Sequence, residues 1–146
     1  MNLFNVMNVS ESALVAERSR AEVVASNLAN SETTRTPEGG PYRRQEVVFQ
    51  TAPAPAGSFA DTLGSFADQH VHGVEVERVV ADPAPPIQRF DPSNPDADKD
   101  GYVSYPNINP IAEMTDLMGA SCAYQLNVAA VQATKSMIAT ALTILS

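Results

Sequence analysis

The chain of 146 residues is long enough to form one domain of ordinary size. Its formal net charge of −8 argues against a general nucleic-acid binder and against a protein that binds anionic membranes, because both need a basic surface. The single cysteine excludes an intramolecular disulfide, and no apolar run approaches the ~20 residues of a membrane-spanning helix. The first residues also lack the basic region and continuous apolar stretch of a secretory signal. The protein is therefore expected to stay in the cytoplasm or to leave by a route that reads no cleavable signal.

The N-terminal segment is predicted to form a long helix over residues 3 to about 30. Its stripe positions are spaced alternately by four and three residues, which keeps them on one face of a helix. Polar residues near Asn30 and Ser31, followed by Pro37, indicate where this helix ends. The stripe consists of Leu3, Met7, Ser10, Leu14, Glu17, Ala21, Val24 and Leu28, with Ser10 and Glu17 as polar interruptions.

The C-terminal segment, residues 109–146, is predicted to form a second long helix. Asn109 is suited to cap it, and Pro110 suits the first helical position, where its missing N–H leaves no hydrogen bond unmade. Glu113 and Asp116 lie near the start, where the helix dipole favours negative charge. The stripe consists of Met114, Leu117, Ser121, Tyr124, Val128, Val131, Lys135, Ile138, Leu142 and Leu145, with Ser121 and Lys135 as interruptions.

The middle of the chain is predicted to contain short strands. The sequence "VEVERVV" at residues 74–80 alternates apolar and polar side chains for most of its length, as a half-buried strand does. Shorter strands are expected at Ile87–Phe90 and Tyr102–Tyr105, and residues 42–49 are a candidate for one more. Residues 51–57, "TAPAPAG", are typical of a linker.

These elements predict an α+β fold in which two long terminal helices pack as a coiled-coil-like pair around a small β-rich module and an extended arm. The expected boundaries are 1–31 for the N-terminal helix, 32–50 for the arm, 51–106 for the β-rich module with its linker, and 107–146 for the C-terminal helix. The two helical stripes either pair with each other, parallel or antiparallel, or pack against other copies. For an arbitrary protein, an ordinary amphipathic pair of core helices is the favoured explanation of this periodicity.

One acidic segment resembles the start of a calcium-binding loop. Asp96, Asp98, Asp100 and Gly101 occupy loop positions 1, 3, 5 and 6 of an EF-hand, but Asn107 stands where a bidentate glutamate belongs. The favoured interpretation is an acidic turn leading into a strand.

The remaining candidate ligands and nucleophiles are isolated. His70 and His72, with Asp68 nearby, lack a convincing third ligand and are interpreted as solvated loop residues. Cys122 has no histidine arranged with it and is interpreted as a buried or half-buried small side chain. Motifs of serine hydrolases, phosphate-binding loops and dinucleotide sites are not present in the sequence. No active site, metal or cofactor is predicted.

Three stretches together resemble the bacterial flagellar basal-body rod proteins, and within them the family of proximal rod protein C (FlgC). They are "ASNLANSETTRTPEGGPYRRQEVVF" at 25–49, "DADKDGYVSYPNIN" at 96–109 and "EMTDLMGASCAYQLNVAAVQATKSM" at 113–137. The resemblance covers nearly the whole chain and is weakest in the linker and in "SFADTLGSFADQHVH". The chain departs from the family at Ser31 and Glu32, where Ala-Asn is usual, and at Cys122, where arginine is usual.

The resemblance implies a structural role without catalysis, as a subunit of the proximal rod, the drive shaft that transmits torque and lines the export channel. It implies contacts with other copies of the chain, with sibling proximal rod proteins and the distal rod protein, and with the membrane ring and rod-base adaptor proteins. It also implies export by the flagellar apparatus without a cleaved signal peptide, a place within the periplasm, and terminal helices that pack against each other and against neighbouring subunits.

Residues 33–44, "TTRTPEGGPYRR", lie within the expected segment 32–50, and from here on the term arm refers to these twelve residues. Pro37 favours a type I turn over residues 36–39. Arg35, Arg43 and Arg44 supply three of the nine basic residues of an acidic chain, and the resemblance favours an ordered arm that docks on adjacent subunits through them. In a single subunit these arginines are expected to be solvated, and a flexible connector is the alternative.

The resemblance and the stripes together define an expected inter-subunit surface. A soluble helical adaptor, or a small acidic metal-binding module that Ca²⁺ would stabilise, is the alternative function. The expected interface residues are Leu3, Met7, Leu14, Val24, Asn27, Leu28, Asn30, Arg35, Pro37, Arg43, Arg44, Met114, Leu117, Tyr124, Val128, Val131, Ile138 and Leu142.

Overall fold

The computed structural model describes residues 3–52 and 72–145, and within them a long helix stands at each end of the chain. This is the predicted α+β architecture. Residues 53–57 of the expected linker, together with Asp68 and His70, lie outside the described residues. The elements in chain order are α1 (Leu3–Ala29), β1 (Gln45–Thr51), β2 (Val74–Ala81), β3 (Ile87–Phe90), β4 (Tyr102–Tyr105) and α2 (Pro110–Leu145).

The helix ends lie where local sequence signals place them. After Ala29 the chain makes one more turn, in which the backbone N–H of Asn30 donates to the carbonyl of Ser26 over 3.0 Å. At the start of α2, Oδ1 of Asn109 accepts a hydrogen bond from the backbone N–H of Ile111 over 3.0 Å, and Pro110 is the first helical residue.

The two helices run antiparallel. Asn27, near the end of α1, contacts Glu113 at the start of α2, and Arg20, two turns earlier, contacts Asp116. The side chains buried between the helices are small or polar: Ser10, Ala16, Val24 and Asn27 on α1, and Glu113, Ala120 and Thr134 on α2. The buried residues of α2 are thus spaced by multiples of seven. Each of them precedes by one residue a position of the apolar stripe that the sequence predicted.

Two antiparallel two-stranded sheets fill the middle. In the first, β1 pairs with β2 from Gln45 opposite Ala81 to Thr51 opposite Val74, with a bulge between Val48 and Phe49, and both strands pack on α1. The predicted strand at 42–49 begins only at Gln45, because the three residues before it belong to the arm. The second sheet pairs β3 with β4.

The buried apolar core is small in the described residues. It consists of Ala16 and Val24 on α1, Val103 on β4, Ile108 before α2, and Ala120 on α2. Since a two-stranded sheet is marginal by itself in water, the first sheet depends on its packing against α1 for support. Among the described residues, no helix is both long and apolar enough to cross a membrane.

Candidate assembly surface

The arm is an ordered, tightly turned loop. The backbone N–H of Gly39 donates to the carbonyl of Thr36 over 3.0 Å, which closes the predicted turn with Pro37 at its second position. The N–H of Thr36 donates back to the carbonyl of Gly40 over 2.8 Å. Gly39 and Gly40 have φ of 90° and 80°, in the left-handed region that residues with a side chain rarely adopt.

The arm is tied to the acidic loop that precedes β4. Oγ1 of Thr34 donates to Oδ2 of Asp96 over 2.7 Å, and a guanidinium nitrogen of Arg35 lies 3.6 Å from the other oxygen. The neighbouring Asp98 accepts hydrogen bonds from the backbone N–H groups of Asp100 and Tyr102. Of the carboxylates that resembled a calcium loop, Asp96 therefore holds the arm and Asp98 caps the turn before β4. Within residues 3–52 and 72–145, no three metal-ligating side chains come together.

Where the arm meets the helix pair, Asn27 has every hydrogen-bonding atom of its amide engaged. Its side chain is 0% exposed. Nδ2 donates to the carbonyl of Gln45 over 2.8 Å and to Oε2 of Glu113 over 3.0 Å. Oδ1 accepts from the backbone N–H of Gln45 over 2.9 Å and from the hydroxyl of Tyr42 over 3.2 Å. One amide therefore joins α1, the end of the arm, the start of β1 and α2.

Glu113 carries a buried carboxylate, with 1% of the residue exposed. Besides Asn27, it accepts a hydrogen bond from Nε of Arg44 over 2.6 Å. Arg44 also pairs with Glu46, and one of its nitrogens lies 3.9 Å from Asp116. We call Asn27, Arg44 and Glu113 the hub.

The environment of Arg44 raises the pKa of its guanidinium. Burial by itself lowers the pKa of the guanidinium, but hydrogen bonds and charge from Glu113 and Glu46 outweigh burial and hold the pKa above its usual value. The expectation that Arg44 is solvated in a single subunit is wrong, because a carboxylate 69 positions later in the chain shares its site. Arg43, by contrast, is exposed and forms no ion pair with any described residue.

The other expected interface residues of α1 and the arm divide by burial. Val24 and Asn27 are buried within the subunit, while Leu3, Arg35, Pro37 and Arg43 are exposed. Those that are half-buried are Met7, Leu14, Leu28, Asn30 and Arg44.

On α2 the expected residues flank the helix interface. Met114, Tyr124 and Leu142 are exposed. Half-buried positions are Leu117, Val128, Val131 and Ile138.

Sequence reasoning missed a second set of apolar side chains on α2, which are exposed to solvent. Its large side chains are exposed by between 52% at Met137 and 80% at Ile144. We call this set the outer stripe, which consists of Ile111, Met118, Cys122, Leu126, Met137 and Ile144. The composition of α2 could have indicated these exposed apolar residues. Residues 117–145 contain a single charged residue, Lys135, so the helix has no charged face that would mark the side toward solvent.

The interpretation of Cys122 as buried or half-buried is wrong, because its thiol is exposed. Ala120 faces α1, and two further residues turn the helix by about 200°. Cys122 is therefore on the opposite side, within the outer stripe.

Two family models match this chain. The flagella basal body rod protein model matches residues 7–35, and the model of the flagellar basal body rod FlgEFG protein C-terminal region matches residues 99–144. The first match contains most of α1 and the start of the arm. The second contains β4, nearly all of α2 and the glutamate of the hub.

Curated relatives match over nearly their whole length. The chain is 40% identical to the flagellar basal-body rod protein FlgC of Borreliella burgdorferi, over 99% of both proteins. Identity to the FlgC protein of Bacillus subtilis is also 40%, again over 99% of both. For the FlgC protein of Salmonella typhimurium it is 39%, over 99% of this chain and 98% of the relative.

Proposed function

From the premise that this chain belongs to the family of the flagellar basal-body rod protein FlgC, and is a structural subunit of the proximal rod, we propose that it polymerises through the outer faces of its terminal helices. The observation that carries this proposal is the outer stripe. Five large apolar side chains remain exposed along α2, and no charge lies among them. Monomeric proteins rarely leave a continuous apolar surface of this kind uncovered.

The exposed apolar residues of α1 support the same proposal. Val15 is exposed in the middle of the helix and Leu3 at its start. Apolar surface on both helices allows one subunit to contact neighbours on more than one side, as a tube wall requires. Burial of such surface contributes roughly 25 cal/mol for each Å² removed from water.

The proposal is tested by charging the outer stripe. In the source bacterium, the double variant Met118→Glu/Leu126→Glu should lose motility and fail to build rods, because two carboxylates would be buried at a subunit contact. The purified variant should keep the helix content of the parent and its unfolding free energy within about 0.5 kcal/mol. Val79→Glu, at an exposed apolar position on β2, is the matched control and should remain motile. Normal motility of the double variant would overturn the proposal.

The arm is proposed to dock on a neighbouring subunit through Arg43. Its guanidinium is exposed and not engaged by any described carboxylate, whereas Arg35 and Arg44 pair within the subunit. Ion pairs gain strength when a contact excludes water, so Arg43 is the arginine of the arm best suited to a neighbour's carboxylate.

Arg43→Glu should therefore impair rod assembly, measured as swimming-zone diameter and rod yield, without lowering the stability of the single subunit. Arg78→Glu, which reverses another exposed arginine on β2, is the control. A fully motile Arg43→Glu strain would contradict this role for the arm.

The finer partners and location are also proposals. The chain is proposed to contact copies of itself, sibling proximal rod proteins, the distal rod protein, and the membrane ring and rod-base adaptor proteins. Export through the flagellar apparatus without signal cleavage, a place in the periplasm and a mechanical role without catalysis complete the proposal. Full-length identity to curated FlgC proteins supports it, and the helical adaptor and metal-module alternatives are not favoured.

A further inference from the structure

Apart from the hub and the partly exposed Arg20–Asp116 ion pair, which contributes little, the interface between the two helices contains little information about its own register. On α2 the positions facing α1 recur every seven residues, at Glu113, Ala120, Asn127 and Thr134. Apart from the first, these side chains are small or adaptable, and the buried residues of α1 include a serine and an alanine. If α2 slid by seven residues along α1, most of these side chains would move into a position that a side chain of similar size occupied before. An interface of this kind therefore tolerates such a slide.

The covalent connection constrains the register through its folded parts. Residues 30–109 contain the arm and both sheets, and the end of the arm is held to α1 by the hydrogen bonds of Tyr42 and Gln45 with Asn27. The register must be set by something that differs between the alternatives.

We propose that the hub sets the antiparallel register of α1 and α2 and couples it to the arm. In the observed register Glu113 receives hydrogen bonds from Asn27 and Arg44. A slide of one heptad would place Ala120 beside Asn27 and would separate the carboxylate from both donors. Buried charges and amides without partners are strongly unfavourable, so the hub penalises every slid alternative. Buried polar groups specify register in this way in coiled coils.

The hub also links the helix register to the arm and to the first sheet. The Asn27 amide holds both backbone groups of Gln45 and the hydroxyl of Tyr42. The end of the arm and the start of β1 are therefore in place only when the helices are paired correctly. This inference concerns the folded subunit and does not rest on the proposed mode of assembly.

The test measures the distance between two spin labels on opposite helices of the full chain. Ala25→Cys supplies an exposed site on α1, and the native Cys122 supplies one on α2. With Asn27 level with Glu113, the two sites are about seven residues apart along the axis, or roughly 10 Å. Pulsed electron paramagnetic resonance should give one narrow distribution of the distance between the two labels in the otherwise unchanged protein.

Moving the carboxylate by one heptad should move the register with it. The double exchange Glu113→Ala/Ala120→Glu should slide α2 so that the carboxylate again meets Asn27 and Arg44, and the axial offset of roughly 10 Å between the labels should be lost. An unchanged label distance in this variant would overturn the proposal.

Removing the hub should release the register while keeping the helices paired. Asn27→Leu/Arg44→Leu/Glu113→Leu leaves an apolar interface without unpaired charge, which often preserves stability. Its distance distribution should broaden or split. Arg18→Leu/Glu22→Leu, which removes an exposed ion pair of the same chemistry, should keep the narrow distribution. A narrow, unshifted distribution in the triple variant would also overturn the proposal.

Discussion

Glu113 shows how much the setting of one side chain decides its role. As an acid in the first turn of α2, it fits the ordinary favourable interaction with the helix dipole, which is worth some tenths of a kcal/mol at a solvated site. In the fold it is almost fully buried and is held by Arg44 and Asn27. At that burial the partners matter far more than the dipole, because an unpaired group there has no access to water.

Glu113→Ala should therefore lower the free energy of unfolding by about 1–3 kcal/mol, because it leaves a buried N–H donor of Asn27 unpaired and removes one of the carboxylates that hold Arg44. Urea denaturation of the purified chain measures this. Glu22→Ala removes the carboxylate of the exposed Arg18–Glu22 pair and should have no measurable effect. Equal effects of the two substitutions would show that the hub adds no stability beyond a surface ion pair.

The residue-scale predictions from sequence succeeded where the cause is local. The Asn109 cap, the Pro110 start and the turn after Thr36 depend on neighbours within four positions, and the structure has all three. The role of Arg44 was not predictable in this way. Its partner is 69 positions away, and only the pairing of the helices brings the two side chains together.

At the scale of elements, the first sheet is fixed to α1 where the backbone of Gly73 and Val74 approaches the side chain of Ser12. Oγ of Ser12 donates to the carbonyl of Val9 over 2.8 Å and accepts from the backbone N–H of Val74 over 3.1 Å. A Cβ added to Gly73 would lie 2.5 Å from that oxygen. Glycine is needed here because of the approach of Ser12, which joins the start of β2 to the helix.

Gly73→Ala should push β2 away from α1 and lower the unfolding free energy by about 1–3 kcal/mol, the usual cost of overpacking. Urea denaturation measures the change. Gly119→Ala is the same substitution in open space on α2, and it should raise stability by up to about 1 kcal/mol through helix propensity. If both variants are more stable than the parent, the contact with Ser12 does not constrain the sheet.

The elements themselves were largely predictable, but the orientation of α2 was not. β2, β3 and β4 lie where alternation and turn residues place them. For α2, half-buried apolar residues flank the face toward α1 and exposed ones form the outer stripe, so periodicity alone cannot distinguish the buried face from the exposed one. Small side chains between the helices, with Ala120 at the centre, then decide which face is inside.

At the scale of the whole molecule, the single subunit has a small core and a hub at one end of the helix pair. Few apolar side chains are buried, and most are alanine or valine. Since stability is a small difference between burial and chain entropy, such a subunit should be marginally stable away from the hub. The helix ends opposite the hub lack comparable buried contacts among the described residues.

Hydrogen exchange on the purified chain should show this gradient. Amides of residues 22–29 and 113–120 should be protected, while those of residues 3–9 and 138–145 should exchange rapidly and gain protection in assembled rods. The ordering of these ends on assembly would be coupled folding and binding. Full protection along both helices of the single subunit would instead indicate a self-sufficient helix pair and would favour the adaptor alternative.

The absence of charge from the outer stripe has a consequence for solution conditions. Association through such a surface is driven mainly by the entropy of released water near room temperature, so it should weaken on cooling and respond little to added sodium chloride. A contact through Arg43 should behave in the opposite way, since charges at the rim of an interface are screened within about 8 Å at physiological ionic strength. If both proposed contacts form, temperature and salt should act as two independent controls over assembly, each on a different face of the same subunit.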